Sequence, residues 1–110
     1  MRPPPPNAAL MSLVSSLGED DTRDLVRMFL NEFPVTIGKL TTVSREEAQR
    51  TVHGMKSSAH HMGADALSRR LAAIEERLGS PEASVTHQDL SDLSVEFDRA
   101  AGQLGVFARS

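Results

Sequence analysis

The residues best suited to chemistry lie in the run His53-Gly54-Met55-Lys56-Ser57-Ser58, with Gly63-Ala64 following ten positions after the histidine. An imidazole with an ammonium three residues further on suits work on a charged group. For that work the histidine must be held out to solvent. Ala48, Val52, Met55, Ala59 and Met62 recur at alternating spacings of four and three, the period of an amphipathic helix. At roughly 100° per residue this stripe spans about 80°, and His53 projects about 135° from its centre, so it points outward. Gln49, Lys56, Ser57 and His60 fall on the same side, giving a polar strip about 10 Å long. Lys56 can therefore reach whatever His53 carries.

A polar outer face is ordinary for a surface helix, and a His and a Lys one turn apart can be two solvated residues. The neighbours of His53 argue for more. Gly54, Ser57, Ser58 and Ala59 are all small, although Gly and Ser are poorer helix formers than Ala. Small residues around an exposed histidine leave clearance for a group that approaches closely.

The elements that must position this strip are helical. Asn7 is a plausible N-cap for a short first helix with Leu10, Leu13, Val14 and Leu17 on one stripe and Gly18 as its stop. Acidic Glu19-Asp20-Asp21 suits the start of a long second helix, whose inner stripe reads Leu25, Phe29, Phe33, Ile37 and Leu40. Pro34 lies inside it and predicts a kinked helix, with two shorter helices as the alternative. Ser44-Arg45-Glu46-Glu47 has capping-box spacing and opens the third helix, which ends at Gly63. Asp65 can cap a fourth, with Leu67, Leu71, Ile74 and Leu78 inward and Gly79 at its end. From about Thr86 a fifth presents Leu90, Leu93, Phe97, Ala101 and Leu104. The expected architecture is all-α: an antiparallel up-down four-helix bundle with a short additional N-terminal helix against one end. Met1 to Pro6 form a flexible Pro-rich tail, and 7–110 form the helical domain.

Composition agrees with one small helical domain. A chain of 110 residues supports a single modest core, and only 4% of it is aromatic, with no Trp or Tyr. The absence of cysteine removes disulfides and thiolate chemistry and fits a reducing compartment. No apolar run approaches the roughly 20 residues that cross a bilayer. A net charge of -3 without a basic tract argues against a nucleic-acid partner.

The run around His53 resembles the histidine-containing phosphotransfer (HPt) domains of multistep phosphorelays. Their central helix usually reads His-x-Leu-Lys-Gly-Ser, with Gly-Ala ten residues after the histidine and a Leu and a Leu-Glu in the next helix. Here His53, Met55, Lys56, Ser57 and Ser58 stand in those places, followed by Gly63-Ala64, Leu67 and Ile74-Glu75. The helix order from Asp20 to Phe107, with Phe33-Pro34 in the first long helix, is similar to the rest of that fold. One departure is Ser57, where the family usually has Gly. Its side chain lies on the exposed face and would alter partner choice or rate.

The resemblance implies a phosphoryl carrier in two-component signalling. His53 would be the phosphorylation site, taking the group from a receiver-domain aspartate or a hybrid histidine kinase and passing it to another receiver aspartate. Lys56 would stabilise the phosphate, and Gln49, Ser57, Ser58 and His60 would form the receiver-docking face. The chain has no nucleotide loop and no acidic cluster beside His53. It would thus hold no cofactor of its own, Mg²⁺ would sit on the receiver, and the domain would be a reactant in its partner's active site rather than an enzyme. A cytoplasmic monomer is expected.

Three other readings compete. Zinc binding by His53, His60, His61 and His87 is disfavoured because no pair on one helix has the i, i+4 spacing that chelates. The dimerisation domain of a sensor kinase usually has an acidic residue directly after its histidine and a proline soon after. Here Gly54 follows, and no proline occurs between 35 and 80. The third is a degenerate HPt-like module that binds receivers without carrying phosphate.

Overall fold

The computed structural model describes residues 2–109, which form five α-helices and, among the described residues, no strand. These are α1 (Ala8–Leu17), α2 (Glu19–Lys39), α3 (Arg45–His61), α4 (Asp65–Arg77) and α5 (His87–Ala108). The four longer helices form the expected bundle: α3 packs on α4, α4 on α5 and α5 on α2, while α1 lies against α2 and α3. No helix is long and apolar enough to cross a membrane.

Local chemistry sets the helix ends. Asn7 caps α1 by accepting from the Leu10 N–H, and its side-chain amide donates to the Met62 carbonyl at the end of α3. One side chain thus closes two helices and fixes α1 to the bundle. Gly63 has φ +73, a left-handed conformation that glycine adopts freely, and a side chain there would strike Asn7. Ser44 caps α3 through the Glu47 N–H. Thr86 and Asp89 form a reciprocal capping box at the start of α5 that was not anticipated, because Asp rather than Glu or Gln stands at its third position.

Two expectations need correction. Asp65 is the first residue of α4, whose N-cap is Ala64 and makes no side-chain bond; the acidic side chain sits in the first turn instead. Pro34 lies inside α2 on its exposed side and, as expected, does not divide it; the alternative of two shorter helices does not hold. The inner stripe of α2 starts at Val26, fully buried, whereas Leu25 is 36% exposed. The buried stripe continues at helical spacing from Phe33 and Phe29 through Val26 to Thr22 and Arg23. Arg23 lies over the Phe107 ring at 5.1 Å and bonds Glu19. The stripes of α3 and α4 match, with Ala48, Val52, Met55, Ala59, Met62, Leu67, Leu71, Ile74 and Leu78 all buried, whereas of the expected α1 stripe Leu10 is buried and Leu17 is 45% exposed. Phe29, Phe33 and Phe97 join α2 to α5, with ring centroids 4.8–5.8 Å apart.

Register then decides which polar side chains meet. One residue past a core position turns about 100° around its helix, and in an antiparallel pair the two turns run in opposite senses, toward one shared seam. His53 and Lys56 follow core residues Val52 and Met55, and Ser68 and Glu75 follow Leu67 and Ile74. These residues meet across the α3–α4 seam. Residues that precede core positions turn the other way. Ser58 and His61 on α3 therefore line one groove with Leu25, Met28 and Glu32 on α2.

Candidate functional site

His53 stands on the middle of α3 with its side chain 68% exposed. Its Nδ1 lies 2.6 Å from Oε2 of Glu75 on α4, and the other carboxylate oxygen, Oε1, accepts from Lys56 Nζ at 2.6 Å. One carboxylate therefore bridges the imidazole and the ammonium. The Lys56 hydrogen bond holds the Glu75 carboxyl below its ordinary range, against burial, which pushes it up, and the His53 contact adds to the lowering. A carboxylate in that state only accepts, so the proton between the two groups resides on Nδ1. In a neutral ring the Nε2 lone pair is then free, on the side away from Glu75.

The backbone beneath these groups is held independently. Val52, Met55 and Ala59 bury the inner face of α3, and Ser68 Oγ donates to the Lys56 carbonyl at 3.3 Å. Leu71 and Ile74 do the same for α4. His53 and Lys56 extend from α3 and Glu75 from the α4 helix packed on it, rather than from loops, which fixes their separation. Among the described residues no three His, Cys, Asp or Glu side chains come together as a metal site.

A family model for the Hpt domain matches residues 24–104. The chain belongs to the Hpt domain family. Membership brings a histidine phosphotransfer role in phosphorelays, with the domain as phosphoryl carrier and receiver domains as the class of partner. The match spans His53, Lys56 and Glu75 and leaves α1 outside it. No curated protein and no solved structure matches this chain.

The strip expected from the sequence is present in the Hpt domain but divides. His53, Ser57 and His60 are exposed, and Gln49 and Lys56 are half-buried. Lys56 is not free to solvent, because Glu75 holds it. Ser58 is exposed on the other side of α3, where it lines an apolar groove of about 300 Å³ with Leu13, Leu25, Met28 and His61. The structure thus brings His53 and Lys56 together and separates Ser58 from them. The His60 ring lies beside that of His61, with centroids 6.2 Å apart.

Glu75 is the functional residue that sequence reasoning passed over, although it belongs to the run that carries the family resemblance. Its signal was the offset: Glu75 follows the core residue Ile74 as His53 follows Val52. On antiparallel neighbours that shared offset predicts contact.

Proposed function

We propose that this Hpt domain carries a phosphoryl group on Nε2 of His53. The Nε2 lone pair attacks phosphorus of a receiver's aspartyl phosphate, the N–P bond forms as the acyl P–O bond breaks, and the carboxylate leaves with the electron pair. The proton stays on Nδ1, where Glu75 compensates the positive charge that the phosphorylated ring acquires. Reversal of these steps on another receiver completes the relay. The observation that supports this most strongly is the Glu75 carboxylate at 2.6 Å from Nδ1, which orients the ring with Nε2 outward and accessible.

Phosphoryl transfer needs in-line positioning and charge stabilisation more than covalent help from the carrier. Lys56, one turn from His53, supplies positive charge to the equatorial oxygens. Mg²⁺ and the reacting carboxylate belong to the receiver, so the domain acts as a substrate there. Gln49, Ser57 and His60 border the approach to His53 and contact the receiver around the transferred group. Ser57 narrows that approach where a glycine would leave it open. A hybrid histidine kinase is the upstream source.

Incubation with a phosphorylated receiver tests this. The wild-type domain should gain acid-labile, alkali-stable label, and His53→Gln should gain none. A wild-type domain that binds receivers yet stays unlabelled would instead be a receiver-binding module without phosphoryl chemistry.

A further inference from the structure

Glu75 has a second contact whose consequence differs from that of orienting the imidazole. Its Oε1 holds Lys56 Nζ at 2.6 Å, in a place where the lysine side chain is 32% exposed and the carboxylate 22%. Both groups are partly withdrawn from water, so their attraction exceeds that of a fully solvated pair. We propose that Glu75 is a positioning residue that restrains Lys56, so that an incoming phosphoryl group must compete with the carboxylate for its charge. The inference rests on the reading of His53 as the phosphoryl carrier.

The restraint follows from charge and reach. An ammonium has three donors, so Lys56 could touch a carboxylate and a phosphoryl group at once, but it has one positive charge to divide between them. Its four-carbon stem lets Nζ move while its backbone stays packed on α4. The phosphoryl group, with more negative charge than a carboxylate, wins the competition, yet only the difference between the two partners appears as stabilisation. Lys56 consequently contributes less to the transfer than an unpaired lysine would. A carrier gains from this, since a lysine that held the group without competition would oppose its departure to the next receiver.

The orienting and restraining contacts of Glu75 are separable in a double-mutant cycle, because a change at His53 is common to both members of each pair. The full chain is labelled with phosphoramidate, a small donor that needs no receiver; Nε2 of His53 takes the phosphoryl group and ammonia leaves. Four proteins are compared: wild type, Lys56→Ala, Glu75→Gln and the double variant, each checked for helical content. The slowing caused by Lys56→Ala should be about threefold greater in the Glu75→Gln background than in wild type. Equal or smaller slowing there would overturn the proposal and make the contact a support for Lys56. Should Glu75→Gln lose helicity, Glu75→Ala gives the same cycle without a new donor. Failure of the wild type to label at all would remove the carrier reading and this inference together, whereas labelling with equal ratios removes the inference alone.

Discussion

On the α4 side of α3, His53 and Lys56 meet one carboxylate, while on the α2 side Ser58 and His61 line an open apolar groove with Leu25 and Met28. Both seams arise from the same stripe of core residues and differ only in which neighbour of each core residue turns toward them. The charged seam holds its groups in a fixed arrangement around an exposed imidazole. The apolar seam leaves Met28 53% exposed and makes no comparable polar bridge. A single helix can thus keep a reactive group ordered on one flank while the other remains loosely filled, provided the core between them is rigid.

The strongest way to break this comparison is to remove the core that separates the seams. Met55 is 6% exposed between them, and Met55→Asp places an unpaired charge there. The variant should lose more than about 3 kcal/mol in chemical denaturation, and both seams with it. A stable Met55→Asp protein would mean that α3 is not held as described.

Lys56→Ala leaves the core stripe untouched and should retain full helicity while small-donor labelling slows about tenfold, the worth of one charge-assisted hydrogen bond. An unchanged rate would reduce Lys56 to a solvated neighbour of His53.

A polar lock away from both seams should behave differently again. Burial pushes the Asp89 carboxyl up, but hydrogen bonds from Arg77 and the Thr86 N–H outweigh it and leave it below its ordinary value of 3.8. A carboxyl lowered in the folded state stabilises fully above its unfolded value, and that contribution is lost as pH falls through the folded value. Wild-type stability should therefore decline below about pH 4, and Asp89→Ala should remove part of that decline while costing about 1–2 kcal/mol at neutral pH. Denaturation midpoints across the acid range measure both. Labelling of His53 should not change.

The smallest effect belongs to the apolar seam. Met28→Ser should alter stability by no more than about 0.5 kcal/mol and leave small-donor labelling at the wild-type rate. A slowed rate would show that the two flanks of α3 are not separate.

Much of this was legible in the sequence because each helix states its own inner face. The stripes of α3 and α4 are apolar at every expected position, so His53 and Lys56 could be placed outward without any partner helix. Leu25 does not take its expected place, since Leu25 and Val26 both lie one turn from Phe29 and suit the core equally, and a single helix's period does not choose between them. Glu75 was passed over for a related reason: its contact depends on how α4 is turned against α3. Ser58 enters the docking face through the family resemblance and not through the helical projection, in which two residues place it about 200° around the helix from Lys56.

The most direct measurement is the position of the phosphoryl group on the ring. Phosphorus NMR of the wild-type domain after phosphoramidate treatment should show a single Nε2-linked phosphohistidine, absent from His53→Gln, since Glu75 occupies the Nδ1 side. A signal from Nδ1-linked phosphohistidine, or one that persists in His53→Gln, would contradict the account.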